Sequence, residues 1–502
     1  MAPTPTDIFL ADEAATGRLG QDLALALGPG DCLALHGDLG VGKSTLARAL
    51  IRSLADDPEL EVPSPTFTLV QAYEARLPVA HFDLYRLGDP GELAELGLEE
   101  ALQDGAVLVE WPERAGGLLP DSAITVHLEE HGEGRRVSIE APPEALSRIT
   151  RSLAIRQFLE QAGCQQAVRR HYQGDASTRA YEAVEVEGCG RRILMNAPKR
   201  LIGPVIKDGK RYAQIAHVAE DVRPFVAICH LLTHNGFHTP EIFAGDLEQG
   251  FLLLEDLGSD AITDGHGRPI VARWEAAIDC LVALHCTDIP ETVVLPEGPP
   301  HFIPPFDRDA MMIEVDLLPS WYLPHLNGVE AATEFRTAFE TCWHDLIDRL
   351  AAAESGLVLR DYHSPNLLWQ AGASGLRRLG LIDVQDAMRG PTTYDVASLV
   401  HDARVTIDAD LQTRLVDRYE AARALEPEFD PVAFRESLAI MQAQRATKIL
   451  GLFVRLWQRD GKPAYLPHLP RIETYLRAAL RHPVLQPLRD CYTQAGIALT
   501  ES

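Results

Sequence analysis

The chain has 502 residues, 46% of them hydrophobic and 24% charged, with a formal net charge of −27. That length exceeds what one hydrophobic core usually serves, so two or three domains are expected, and the composition is that of a globular protein with packed cores rather than a disordered one. The charge disfavours a chain that coats nucleic acid by itself, because phosphate binding draws on clustered Lys and Arg. Residues 1–150 hold 10 Lys and Arg against 26 Asp and Glu, a balance of −16, so if this part serves RNA a partner is expected to hold the RNA. No apolar run of about eighteen residues and no basic-then-apolar leader is present, which predicts a cytoplasmic protein without a membrane partner. The eight cysteines are scattered without a C-x-x-C pair and are expected to be reduced packing residues.

In chain order, the first predicted elements are a buried strand over Cys32–Leu35 and a helix over Lys43–Leu54. Between them Gly37-x-x-x-x-Gly42-Lys43-Ser44 has the spacing of a phosphate-binding loop, with Gly40 inside it and Thr45 after it. Glycines let backbone N–H groups wrap phosphate oxygens at the helix start, Lys43 can reach the terminal phosphates, and the Ser44 hydroxyl can bind Mg²⁺. A glycine turn capping an ordinary helix is the bland alternative. Downstream, "PVAHFDLYRL" and "AVLVEW" read as strands ending at Asp83 and Glu110, carboxylates on the edge where open α/β sheets bind ligands. Either can hold Mg²⁺ or orient water.

The motifs "GDLGVGKST", "SPTFTLV", "HFDLYRL" and "LVEWPER", in that order over about residues 5–140, resemble the ATPase subunit of the bacterial system that makes threonylcarbamoyladenosine in tRNA. The resemblance implies weak ATP hydrolysis that resets a complex with the threonylcarbamoyl transferase subunit and its paralogous partner, with tRNA bound only indirectly. It implies phosphate and Mg²⁺ roles for Lys43 and Ser44, a switch-like loop at Thr66, and metal or water roles for Asp83 and Glu110. Trp111 follows Glu110 as in that family and reads equally well as a packed aromatic.

In "EAPPEALSRITR" two prolines break a strand-like run before a new helical pattern and suggest a boundary near 142–150, dividing the chain into an α/β P-loop NTPase domain over 1–145 and a second domain over 150–502. The alternating runs of "YQGDASTRAYEAVEVEGCGRRILMNAP" predict a hairpin sheet, and from Val271 onward the pattern is mostly helical. Within "LRDYHSPNLLW", Asp361 and Asn366 have the Asp-x-x-x-x-Asn spacing of a kinase catalytic loop, and the apolar run "LRRLGLID" ends at Asp383. Asp361 can accept a hydroxyl proton while Asn366 and Asp383 bind Mg²⁺, because phosphoryl transfer mainly needs a positioned nucleophile and neutralised charge. "GFLLLEDLG", with Glu255 and Leu257, is a plausible adenine hinge.

The order of these motifs over about 152–490 resembles aminoglycoside-phosphotransferase-like small-molecule kinases, an α+β protein-kinase-like two-lobed fold. More narrowly, "GDASTRAY", "ILMNAP", "LRDYHSPNLLW" and "IDVQDAMRGPTTYDVASL" are similar to the cytoplasmic N-acetylmuramate/N-acetylglucosamine anomeric kinases of cell-wall recycling. The resemblance implies Asp361 as catalytic base, Asn366 and Asp383 as Mg²⁺ ligands, Gly174 to Thr178, including Ser177, as the loop covering the ATP phosphates, and a sugar 1-phosphate product. It departs from the general kinase pattern in two places. Met195 or Asn196 stands where the strand lysine belongs, leaving Lys199 or Arg179 to substitute, and Val384-Gln385 follow Asp383 where Phe-Gly would stand. His363 is a candidate substrate contact, although a loop histidine is more often structural, and Asp316, Trp321 and Tyr322 are a candidate sugar platform against a helix-packing alternative.

The leading reading is a bifunctional ATPase–sugar kinase fusion using ATP and Mg²⁺ on an amino sugar. The alternatives are a kinase of an amino alcohol or aminoglycoside, and a non-catalytic pseudokinase scaffold.

Overall fold

The computed structural model describes residues 6–172, 179–201, 203–295 and 298–497. These form two compact units, one over residues up to Asn196 together with Phe243–Asp246 and Phe251–Leu254, the other over the remainder.

The first unit opens with a seven-stranded sheet of β1 (Thr6–Leu10), β2 (Cys32–His36), β3 (Val70–Tyr73), β4 (Val79–Asp83), β5 (Ala106–Glu110), β6 (Ile124–His131) and β7 (Gly134–Glu140), in the order β1-β7-β6-β2-β5-β4-β3. Its centre is parallel: β2 pairs with β5 and β6, and β4 with β5. These central strands are continuous apolar runs because both faces are covered, and Leu33, Leu35, Phe82, Leu108 and Val109 are fully buried. Helix α1 (Glu13–Ala26) starts at Asp12, whose side chain accepts from Ala15 N–H, and α2 (Lys43–Ala55) follows the phosphate-loop glycines. The two helices touch at Gly20, where a Cβ would come within 2.7 Å of the Ala49 Cβ.

The prolines after the strand begin the expected helix. Pro142 is the N-cap and Pro143 the first residue of Pro143–Gln161, because proline lacks the N–H that the first helical turn leaves unused. This helix serves two cores. Ala145 and Ile149 pack with α1 and β2 residues, whereas Ile155, Phe158 and Leu159 pack with Val184, Leu194, Phe251 and Leu253 of a second, five-stranded sheet. That sheet holds the predicted hairpin, with Ala180–Val186 antiparallel to Gly190–Asn196 and to Val168–Tyr172. Gly174, Ser177 and Thr178 lie outside the described residues.

A buried ionic cluster ties this sheet to α1. Asp22, 3% exposed, accepts from Arg156 Nη2 at 2.8 Å and Arg169 Nη1 at 2.7 Å, and Arg169 is bidentate to Glu182 at 2.7 and 2.8 Å. Ser152 Oγ donates to the Asp22 carbonyl at 2.7 Å.

The second unit is mainly helical, as the pattern after Val271 predicts. Two short antiparallel pairs, Ser355–Val358 with Met388–Pro391 and Leu367–Trp369 with Leu379–Leu381, carry the loops that contain Asp361 and Asp383. Behind them runs the 30-residue helix Pro431–Asp460, started by Asp430, which accepts from Val432 and Ala433 N–H, and stopped by Gly461 at φ 66°. Gly451 lets this helix approach the Leu317 carbonyl, 2.1 Å from where a Cβ would stand. All eight cysteines are free thiols, and among the described residues no helix is long and apolar enough to cross a membrane.

Candidate active sites

In the first unit, the loop between β2 and α2 brings Gly37, Gly40 and Gly42 into left-handed backbone, at φ 136°, 83° and 115°. Gly37 is also pressed against β6: a Cβ there would lie 2.4 Å from the Leu128 carbonyl oxygen. Lys43 is buried, donates Nζ–H to the carbonyls of Gly37 (2.6 Å) and Asp38 (3.0 Å), and lies 3.7 Å from the centre of the Trp111 ring. Burial lowers its pKa, against the raising influence of Glu110, Glu113 and Asp83. Phosphate oxygens can replace those carbonyls as acceptors. Trp111 itself takes φ 59°, an unusual conformation for an aromatic residue, which turns its ring over the lysine.

The two strand-end carboxylates are neighbours because β4 and β5 pair in register, Asp83 beside Glu110. Ser44 Oγ donates to Glu110 Oε2 at 2.8 Å, while Ser64 (2.5 Å) and Thr66 (2.8 Å) donate to Asp83 Oδ2. Both acids are almost fully buried, and one hydroxyl with two carboxylates beside a phosphate loop fits Mg²⁺, which takes few protein ligands and keeps waters and phosphates for the rest. Thr45 sits in the first turn of α2 with no hydrogen bond of its side chain among the described residues. His81 was not legible as a site residue. It is 1% exposed and bonds Glu110 Oε1 at 3.0 Å through Nε2, and its place at the head of the motif "HFDLYRL" was the signal available.

In the second unit Asp361, Asn366 and Asp383 border one crevice with Leu359, Leu367 and Val384, too narrow as it stands to admit a water molecule. Asn366 Nδ2 donates to the Asp361 carbonyl at 3.0 Å, and Ile382 N–H donates to the Asn366 carbonyl at 3.1 Å, which locks the two loops together. Asp383 takes φ 59°, and Gln385 Nε2 donates to its Oδ1 at 2.9 Å. A carboxylate and an amide converging on one crevice fit the part of a Mg²⁺ shell that a kinase supplies. Asp395, fully buried, accepts from Leu359 N–H (2.6 Å) and Arg360 N–H (2.9 Å) and so sets the backbone just before Asp361. Burial pushes the Asp395 carboxyl up to about 7. For Asp361 burial also opposes ionisation, but His363, Lys448, Arg360 and Arg445 outweigh it and hold its carboxyl below the usual value. His363 Nε2 stands 3.8 Å from Asp361 Oδ1, and burial, against the pull of Asp402 and Asp361, brings its pKa down to about 4.

Asp361 and His363 also open on a second cleft, lined by Tyr394, Arg404, Arg445, Lys448 and the apolar residues of the long helix. Asp316, Trp321 and Tyr322 do not line it. Tyr322 is buried and donates to Glu473 at 2.7 Å, and Asp316 accepts from Ser320 at 2.9 Å, which is the packing alternative. At the hinge, the Leu257 carbonyl accepts from Gln370 at 2.8 Å and Glu255 accepts from Glu241 N–H at 3.2 Å. At the missing lysine's position Met195 is buried, and Asn196 accepts from Arg151 at 2.8 and 3.0 Å. Lys199 is exposed and lines a separate cleft with Glu220, Asp221 and Gln385, and Arg179 is half-buried.

Residues 168–435, over half of the chain, match the family described as phosphotransferase enzyme, and residues 10–137 match threonylcarbamoyl adenosine biosynthesis protein TsaE. The chain is 32% identical over 343 residues to an N-acetylmuramate/N-acetylglucosamine kinase of Caulobacter vibrioides, covering 66% of this chain and 93% of the relative. The chain belongs to the phosphotransferase family and, in its N-terminal part, to the TsaE family. As a member of both, it is an enzyme with an ATPase part and a phosphotransferase part. A kinase of the same name from Pseudomonas aeruginosa is 36% identical over 279 residues, which is 54% of this chain and 77% of the relative. A TsaE protein of Rickettsia felis is 40% identical over 131 residues, or 26% of this chain and 76% of the relative. The phosphotransferase match contains Asp361, Asn366 and Asp383, and the TsaE match contains the phosphate loop, Asp83 and Glu110.

Proposed function

We propose that the chain runs two separate ATP-dependent reactions. The phosphotransferase part phosphorylates the anomeric hydroxyl of N-acetylmuramate and N-acetylglucosamine, and the TsaE part hydrolyses ATP in support of tRNA threonylcarbamoyladenosine formation. The observation that carries the first is the convergence of Asp361, Asn366 and Asp383 on one crevice. A scaffold has no need for all three.

In the kinase step the anomeric oxygen bonds to the γ-phosphorus of ATP as the bond from that phosphorus to the β,γ-bridging oxygen breaks, so ADP leaves. Asp361, ionised at neutral pH, orients the hydroxyl and takes its proton. Asn366 and Asp383 would hold Mg²⁺, which neutralises charge on the triphosphate when bound. Asp395 acts through the backbone by fixing where Asp361 sits. Lys199 or Arg179 is the proposed substitute for the missing strand lysine, Glu255 and Leu257 border the adenine, and His363 keeps a neutral ring beside the base.

In the ATPase part Lys43 would hold the terminal phosphates, with Gly37, Gly40, Gly42 and Thr45 shaping the loop. Ser44, Asp83 and Glu110 would share Mg²⁺ and the attacking water, and Thr66 would couple that site to its loop. Its partners in this reading are the threonylcarbamoyl transferase subunit and that subunit's paralogue, which carry the tRNA. ATP supply and tRNA both place the work in the cytoplasm.

The test is to incubate the full chain, Lys43→Ala and Asp361→Ala with ATP, Mg²⁺ and a panel of N-acetylmuramate, N-acetylglucosamine, choline and kanamycin, with product mass as the readout. Sugar phosphate should survive Lys43→Ala and vanish with Asp361→Ala. Product from choline or kanamycin alone would overturn the sugar assignment, and loss with Lys43→Ala would overturn the independence of the two reactions.

A further inference from the structure

The cleft beside Asp361 is lined by three cations, Arg404, Arg445 and Lys448, by two carboxylates, Asp361 and Asp402, and by His363, Tyr394 and Tyr465. Asp402 is fully buried and accepts from the N–H groups of Ser364 (2.7 Å), Arg404 (2.7 Å) and Val405 (3.1 Å), so its charge is spent on shaping the loop. Lys448 is paired with Glu314 at 2.7 Å and donates to the Tyr394 hydroxyl at 3.2 Å.

Arg445 differs from both. It is 6% exposed, and the described residues give its guanidinium a single hydrogen bond, Nη1 to the His401 carbonyl at 3.3 Å, and no carboxylate partner. A guanidinium has five N–H donors, and although the charge of Arg445 acts on Asp361 from a distance, no carboxylate meets it in direct contact among the described residues, so an anion is the expected complement. Its planar fork suits a carboxylate in two-point contact. Arg445, Lys448, Ile449, Leu452 and Phe453 follow i, i+3, i+4, i+7 and i+8 on the long helix, so one helix face presents the cation next to an apolar wall. Such a wall suits the apolar face of a pyranose ring.

We propose that Arg445 is the specificity-determining residue of the acceptor cleft, binding the carboxylate of an acidic amino sugar whose anomeric hydroxyl faces Asp361. This rests on the sugar-kinase reading and goes beyond it by assigning the discrimination between the two acceptors. N-acetylmuramate bears a lactyl carboxylate that N-acetylglucosamine lacks. A cationic acceptor would meet Arg445 as a like charge, which disfavours aminoglycosides and amino alcohols.

The experiment measures kcat/KM of the full-length enzyme for both sugars and for N-acetylmuramate carboxamide, with wild type, Arg445→Met and Arg445→Lys. Wild type should prefer the acid over the carboxamide at least tenfold. Arg445→Met should lower the muramate-to-glucosamine ratio of kcat/KM at least tenfold, chiefly through KM for muramate, and Arg445→Lys should restore part of it. A wild type that treats acid and carboxamide alike overturns the inference even if the variants fail to fold. Equal loss on both sugars in Arg445→Met overturns it while leaving the sugar-kinase reading intact. Phosphorylation of neither sugar by wild type overturns that reading and the inference with it.

Discussion

Replacing Asp22 is the sharpest perturbation available in the first unit. The carboxylate is 3% exposed and takes hydrogen bonds from Arg156 and Arg169, which are 6% and 1% exposed. With Glu182 the cluster holds two guanidinium groups against two carboxylates, a balanced set. Asp22→Ala leaves Glu182 to face both cations, and Glu182 already engages Arg169 through two bonds, so Arg156 loses the only carboxylate it has among the described residues. Removing one partner from a buried pair costs about 3–5 kcal/mol, against about 0–1 kcal/mol for an exposed pair. The exposed pair of Asp7 with Arg136 in the same unit is the internal control, both side chains being more than half exposed. For a unit of this size about 2–4 °C of melting temperature accompanies each kcal/mol, so Asp22→Ala should lower the first unit's transition by about 6–20 °C and Asp7→Ala by less than about 4 °C. Calorimetry on the full chain reads both. The same change should deprotect amides of α1 and of Val168–Tyr172 together in hydrogen exchange, because the cluster joins them. A drop no larger than that of Asp7→Ala, or deprotection confined to α1, would refute a structural role for the cluster.

Two further outcomes follow from particular contacts. Gly37→Ala should lose at least about 2 kcal/mol of stability, because φ 136° disfavours a side chain and the new Cβ would meet the Leu128 carbonyl, which backbone pairing holds in place; an unchanged urea midpoint with unchanged ATPase activity would contradict the close approach. Acid should weaken the second unit between pH 6.5 and about 4. Burial lowers His285 to about 3, His401 to about 3 and His363 to about 4, so the unfolded chain binds their protons first and stability is lost as pH falls through this window. Asp395, raised by burial to about 7, acts in the opposite sense, leaving these four groups with an uptake of about two protons on unfolding near pH 5, or at most about 3 kcal/mol per pH unit. Urea midpoints across pH 5–7 check the sign, and a midpoint that rises on acidification would refute it.

The parts of both sites that depend on contiguous residues were legible in the sequence. A strand, glycines and a helix start in one stretch define the phosphate loop, and the predicted strand ends at Asp83 and Glu110 are the observed ones. The Asp361–Asn366 spacing and the run to Asp383 likewise sit in one loop system. The rest depends on tertiary placement. Arg445 is one arginine in a 30-residue helix, and only the packing of that helix behind the catalytic loop makes it a cleft residue. Asp395 matters through two backbone N–H groups more than thirty residues away. His81 alternates with apolar neighbours in a strand that is buried on both faces, so periodicity could not tell it from a core residue. The "EAPPEA" prolines were legible as the stop of a strand and the start of a helix, whereas the commitment of that helix to two cores depends on tertiary packing.

That helix bears on why two ATP sites share a chain. Were Pro143–Gln161 a passive linker, its side chains would be solvated on most faces. Instead Ala145 and Ile149 belong to the ATPase core, and Ile155, Phe158 and Leu159 belong to the core of the sheet that contains the phosphotransferase hairpin. A segment committed to two cores cannot be cut without exposing apolar surface on both sides, at roughly 1.5–3 kcal/mol for each large side chain uncovered. The ionic cluster adds to this, since a fragment starting at residue 150 would keep Arg156, Arg169 and Glu182 without Asp22. The sharing thus has a structural side, with the ATPase sheet and the sheet of the phosphotransferase hairpin stabilising each other through one helix and one buried carboxylate.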